Sequence, residues 1–199
     1  MINGIDLYAV FDGHNGSTTS NFCAHEIVKY FTETTTNEKQ SNDSSSSFSL
    51  KNLIFKSKSS ETTKVPDNVF SEEYCTYVCA SLQSSLNGMP HKDGSTVAIA
   101  LLKNNEIIVS HLGDSRVLIV KQSGEVKFVT LDHKPQNQDE IRRILDCGGK
   151  IVNGRLDGII AMSRSIGDFD VVGLGRQPDN TRISIEEDDR WLILACDGL

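Results

Sequence analysis

The sequence predicts an α+β fold in which antiparallel sheets are covered by helices, and two observations carry that expectation. The first is a pair of hairpin signals. Apolar runs at 96–102 and 106–112 flank Lys103-Asn104-Asn105, and runs at 116–121 and 126–131 flank Gln122-Ser123-Gly124-Glu125. Runs rich in Val, Ile and Leu on either side of a short polar turn read as paired antiparallel strands. The second is that helical spacing is confined to a few long segments. Many hairpins with few helices define a layered α+β architecture.

Taken in order, Leu7-Tyr8-Ala9-Val10-Phe11 is a short apolar run ending at Asp12-Gly13, which reads as a buried strand. A helix is predicted over 17–31, where Ala24, Ile27, Val28 and Phe31 build one apolar stripe. The composition then changes. Residues at about 33–64 are rich in Ser, Thr and Asn and nearly free of apolar anchors around Asn37 to Ser47, so a disordered insertion is expected. Phe70, Tyr74, Tyr77, Val78 and Leu82 resume helical spacing, and Asn87-Gly88 is a stop signal.

After the two hairpins, 138–147 reads as a helix with Ile141, Ile144 and Leu145 on one face and Gly148-Gly149 as its stop. Short strands are expected at 150–152 and 159–162 around a turn at Asn153-Gly154, then a loop over 170–181. Strands at 182–186 and 191–196 follow, with Trp191 placed in the core. No internal repeat is present, and residues 1–199 are read as a single domain with one insertion.

Bulk properties narrow the function. The chain has 199 residues and a formal net charge of −7. An acidic chain lacks the basic face that non-specific nucleic-acid binding needs, so no nucleic-acid partner is expected. No run reaches the ~18 apolar residues of a membrane span, and the first residues do not resemble a signal peptide. A cytoplasmic or nuclear location and a monomeric state are therefore expected. The five cysteines, Cys23, Cys75, Cys79, Cys147 and Cys196, are scattered and odd in number, which reads as free, buried, reduced thiols.

Three apolar strands each end in a small loop that holds an aspartate: Phe11-Asp12-Gly13, Leu112-Gly113-Asp114 and Cys196-Asp197-Gly198. A carboxylate at the end of a buried strand is costly unless solvated, paired or bound to a cation. Carboxylates from separate strand ends can converge, and such clusters suit hard cations such as Mg²⁺ or Mn²⁺. A single Asp-Gly is ordinarily only a turn dipeptide, and spacing leaves both readings open. His14 follows the first pair. Beside metal-binding carboxylates it can act as a general acid near neutral pH, or it can be a hydrogen-bonded loop histidine. His133 and Lys134-Pro135 are read as ending a strand and setting a turn, and Arg164 is expected to pair with Asp168. No partner is read for His111.

At these residues the chain resembles a known family. Residues 7–16, LYAVFDGHNG, look like the first metal-binding signature of the type 2C (PPM) protein phosphatases. Asp93-Gly94-Ser95-Thr96-Val97-Ala98, Gly113-Asp114-Ser115-Arg116, Asp132-His133-Lys134-Pro135 and residues 161–168 (AMSRSIGD) resemble later motifs in family order. Residues 192–199, LILACDGL, look like the late metal motif. One departure is Asn15, where the family usually has glycine. Asn accepts left-handed backbone angles better than most residues.

The resemblance implies a four-layer αββα sandwich of two packed antiparallel β-sheets flanked by helices. It implies hydrolysis of phosphoserine and phosphothreonine in proteins by a metal-activated water, with two Mn²⁺ or Mg²⁺ ions. Carried over by motif, Asp12 bridges the metals, the Gly13 carbonyl and Asp197 complete ligands, and Asp114 lies near a third, weaker position. His14 protonates the leaving oxygen. Phosphorylated proteins are the implied partners. The family pattern also implies a phosphate-gripping arginine and an acidic pair before the first strand, and a further aspartate motif after Asp197-Gly198. The 199 residues contain neither, so the chain taken alone is expected to bind metal weakly and turn over little. The alternative is a catalytically inactive pseudophosphatase that serves as a protein-binding module.

Overall fold

The hairpin predicted around Asn104 is the centre of the fold. In the computed structural model, which describes residues 4–33, 65–89 and 92–198, β4 (Val97–Lys103) pairs with β5 (Glu106–Leu112) in antiparallel register. Asn104 takes the left-handed turn position at φ 54°. On the far side of β4 lies β1 (Asp6–Val10), and beyond β5 lies β11 (Asp179–Ser184), giving the sheet order β1-β4-β5-β11. A second sheet has the order β12-β6-β7, from β12 (Asp189–Ala195), β6 (Arg116–Lys121) and β7 (Val126–Val129).

Strand alternation along β4 sorts the core into two layers. Val97, Ile99 and Leu101 face a cluster with Cys23, Ile27, Phe31, Tyr74, Val78 and Leu82. These come from α1 (Thr18–Glu33) and α2 (Glu72–Leu86). Ala98 and Ala100 face the other way and meet Val117, Ile119, Leu192 and Leu194 of the second sheet. Side chains two apart on a strand share a face, so one strand feeds both cores, with small alanines where the sheets approach. The expected pair of packed antiparallel sheets with helices is therefore present. Emptying the inner layer, for example by Ile99→Ala, removes about 3 kcal/mol by the usual cavity relation.

The helices follow their sequence signals. Ser71 caps α2 by accepting from the Tyr74 amide at 3.1 Å, and Asn87 ends it, with Gly88 at φ 84°. The two helices lock through an edge-on contact of Phe31 and Tyr74, centroids 5.3 Å apart. The third helix, α3 (Gln138–Asp146), buries Glu140 and Ile144. Among the described residues no helix is long and apolar enough to cross a membrane.

Several expectations are corrected. The strand β8 (Ile151–Val152) pairs with β9 (Arg155–Leu156), not with 159–162, because Asn153 and Gly154 (φ 51° and 73°) close a tight turn directly between them. The predicted loop over 170–181 ends early, since β11 starts at Asp179 opposite His111. Trp191 is 49% exposed: it lies opposite Val120 on the outer face of the second sheet, whereas its neighbour Leu192 points inward. Of the cysteines, Cys23, Cys75 and Cys79 are buried and free as expected, but Cys147 is exposed and Cys196 half-buried. Burial pushes the Cys23 and Cys79 thiols up to about 12, so both are inert at neutral pH. The polar insertion expected at about 33–64 lies outside the described residues beyond the end of α1.

A small sheet with the order β10-β3-β2 completes what matters for the site. It joins β2 (Gly13–His14), β3 (Gly94–Ser95) and β10 (Ile166–Gly167). No periodicity marks two-residue strands, yet this sheet brings three sequence motifs into contact.

Candidate metal centre

Asp12 is delivered by β1: Val10 at its end faces the sheet core, and Phe11 just after it packs on the helix core. The chain then turns through Gly13, where a Cβ would lie 2.5 Å from Ser20 Oγ, so a larger residue does not fit. Asn15 sits at φ 58°, as its tolerance of left-handed angles predicts. Thr96 fixes the backbone: its Oγ1 accepts from the Asp12 amide at 3.1 Å, and its own amide donates to the Asp12 carbonyl at 2.9 Å.

The same hydroxyl lies 2.6 Å from Ser115 Oγ, which ties the Asp12 turn to the loop carrying Asp114. In that loop, a Cβ on Gly113 (φ 98°) would lie 2.8 Å from Thr96 Cγ2. The third aspartate arrives by register. Ala195 of β12 stands opposite Arg116 at the start of β6, so Asp197 and Asp114 leave the same end of the second sheet. Three strand ends from two sheets thus meet.

Electrostatics report the meeting. Burial pushes the Asp12 carboxyl above its usual range, a hydrogen bond with Asp197 adds to this, and the negative charges of Asp197 and Asp114 add again; His14 partly offsets them. Carboxylates crowded this way repel, and a divalent cation with its preference for oxygen relieves that repulsion. The donor set therefore fits Mg²⁺ or Mn²⁺. Asp114 is turned to a different partner, the ammonium of Lys134, a residue whose sequence context signals only a turn. Asp12, Asp114 and Asp197 do not form one of the tight groups with all ligand atoms within 4.8 Å; among the described residues those are His111, His133, Asp179 and Glu186, Asp188, Asp189.

Neither tight group makes a better centre. The acidic trio neutralises Lys121 and Lys127. The rings of His111 and His133 stack 4.5 Å apart at 7°. Ring lone pairs lie in the ring plane, so two parallel stacked rings cannot both aim at one ion. Their hydrogen bonds show a positioning role. His133 Nδ1 accepts from the Gly113 amide at 3.0 Å, and its Nε2 donates to Asp179 at 3.1 Å. His111 Nε2 meets the Leu131 carbonyl at 3.0 Å, although sequence offered it no partner.

Arg164 does not pair with Asp168. It binds Glu140 at 2.6 Å and Asp179 at 2.7 Å, and so extends the chain of contacts from Gly113 through His133 to α3. Asp168 instead takes His14, with Nε2 and Oδ2 2.6 Å apart. His14 lies in β2 of the small sheet and Asp168 directly follows β10, and 154 residues of sequence separate them.

The arrangement places two carboxylates, a further aspartate and a histidine held by an acid at one end of two packed sheets. Residues 3–199 match the Protein phosphatase 2C family, and the chain belongs to it. It is 32% identical to Protein phosphatase 1B of Rattus norvegicus, over 97% of this chain and 49% of that protein. It is 30% identical to the integrin-linked kinase-associated serine/threonine phosphatase 2C of Homo sapiens, over 100% of this chain and 48% of that protein. The chain spans about half the length of these curated relatives. Among solved structures, a C. elegans sex determining protein superposes with a TM-score of 0.72 at 23% identity, over 98% of this chain and 43% of that one. The serine-threonine phosphatase 2C from Toxoplasma gondii superposes at 0.66 and 21%, over 99% and 69%. These two likenesses carry the fold.

Proposed function

We propose that the chain forms the metal-dependent catalytic part of a protein phosphatase acting on phosphoserine and phosphothreonine. The observation that carries this is that Asp12 and Asp197, which follow strands of different sheets, crowd their carboxyls together at one end of the fold. A pure scaffold has no need of such a pair.

Asp12, the Gly13 carbonyl and Asp197 would hold two Mn²⁺ or Mg²⁺ ions, and Asp114, once released from Lys134, a third. Bound there, the ions would neutralise phosphate charge and make water acidic enough to attack phosphorus. The protein's own residues do the rest. Thr96 and Ser115 keep the Asp12 and Asp114 loops in fixed relation. His14 supplies the proton that a serine or threonine alkoxide requires as it leaves. Phosphorylated proteins are the substrates, and the protein works as a monomer in the cytoplasm or nucleus.

The test is hydrolysis of a phosphoserine peptide with Mn²⁺, with Mg²⁺ and with a chelator. Turnover that requires a divalent ion supports the reading. Turnover unaffected by the chelator contradicts it.

A further inference from the structure

We propose that Asp168 is a positioning residue for this reaction: it holds the His14 ring by Nε2, so that Nδ1 is the nitrogen that hands a proton to the departing serine or threonine oxygen. The inference rests on the phosphatase reading above.

The cradle around Asp168 is specific. Its side chain is 2% exposed, against 19% for His14. One oxygen, Oδ2, takes both His14 Nε2 at 2.6 Å and the Ser165 hydroxyl at 2.7 Å. An ionised carboxylate only accepts, so both partners donate, and the His14 proton sits on Nε2. That leaves Nδ1, which is buried and has no hydrogen-bond partner among the described residues. A buried ring nitrogen without a partner is costly unless it serves a ligand or a reacting group.

The backbone is bent to make this contact. Gly167 and Asp168 both occupy left-handed angles, φ 85° and 45°. An aspartate there is strained, and such strain persists only where surroundings enforce it. Here the Arg176 guanidinium donates to the Gly167 carbonyl and, at 3.1 Å, to the Asp168 carbonyl, while the Asp168 amide donates to Asp93 O at 3.1 Å. Gly94 completes the fit, since a Cβ there would lie 1.9 Å from Asp168 Oδ2 and 2.5 Å from His14 Nε2. Three motifs far apart in sequence thus converge on one His–Asp contact.

The step starts from the doubly protonated ring, which has taken a proton from solvent at Nδ1. As the P–O bond breaks, its electron pair passes to the leaving oxygen, which takes that proton from Nδ1. The ring is left neutral with its Nε2 proton still on Asp168. Without Asp168 the ring can rotate or change tautomer, and the donor is lost from its place.

The experiment needs no metal in its first arm. Long-range ¹H–¹⁵N correlation of the metal-free, ¹⁵N-labelled protein reads each histidine tautomer, and His14→Gln identifies the signal. At alkaline pH, where the ring is neutral, a protonated Nε2 with a bare Nδ1 is expected, and the opposite tautomer overturns the proposal. In the second arm, Asp168→Ala is compared on two substrates. Phosphoserine-peptide turnover should fall ~100-fold at unchanged KM, and p-nitrophenyl phosphate turnover, whose leaving group scarcely needs a proton, less than about threefold. Equal losses on both substrates mean that Asp168 is merely structural. If the unaltered protein turns over too little of either substrate to compare, as expected of the chain taken alone, the tautomer alone decides this proposal. That first measurement also stands where Asp168→Ala does not fold.

Discussion

The Asp93 carboxylate accepts from the Thr18 amide at 2.7 Å and from Thr19 Oγ1 at 2.8 Å, across 75 residues of sequence in the first case. The first amides of α1 lack intrahelical partners, and the helix N-terminus favours negative charge. A buried side chain just before β3 thus caps a helix that follows the Asp12 turn. Asp93→Ala should destabilise the fold by roughly 3 kcal/mol, because charged hydrogen bonds are lost and a helix-end amide is orphaned. Urea unfolding measures this, and a loss under about 1 kcal/mol would show that water replaces the carboxylate.

Gly94 links that cap to the His14–Asp168 contact. With a Cβ only 1.9 Å from Asp168 Oδ2, Gly94→Ala must push the carboxylate away. Overpacking in a rigid site generally costs about 1–3 kcal/mol. The expected result is a lowered melting temperature together with a changed His14 ring signal. A variant that melts lower but keeps the unaltered His14 signal would show that the strand moved and the contact survived.

The sequence made the hairpins, the helix stops and the strand-end aspartates readable, because each is a local pattern. Asp12, Asp197 and His14 stand out as candidates on that ground, and their roles come only from the family resemblance. Asp168 was missed as the partner of His14 because the pairing depends on a three-stranded sheet of two-residue strands, which leaves no periodic trace. Arg164 was given that role instead because it is four residues away, but Glu140 on α3 outcompetes a local partner. The Lys134–Asp114 pair was likewise hidden: a turn signal explains Lys134-Pro135 fully until the fold brings Asp114 beside it.

Glu140 gives the fold an acid limit. It is 3% exposed. Burial pushes its carboxyl up, but hydrogen bonds from Arg164 and Arg143 outweigh this and bring it from 4.5 down to about 2. A folded value below the unfolded one means stability that is fully present above about pH 4.5 and lost as pH falls toward 2. The shift corresponds to about 3 kcal/mol. Glu140→Gln should lower stability at neutral pH and flatten the decline between those values. Chemical denaturation at stepped pH checks it, and parallel acid limbs in the two proteins would rule out Glu140 as the source.

Lys134 acts on Asp114 as a built-in cation. Its ammonium sits on the carboxylate that the third metal position would use, so the two compete for the same oxygens. The pair is partly exposed, with side chains 35% and 19% accessible, so water screens it and its worth is about 1 kcal/mol or less. Lys134→Met keeps the apolar stem and removes the charge. Mn²⁺ should then bind the weakest site up to about fivefold more tightly, since the competitor is gone and one more negative charge is free. Calorimetric titration of the two proteins decides the matter. If Lys134→Met weakens Mn²⁺ binding, the lysine is holding Asp114 in place for the ion, and the competition assigned to it is wrong.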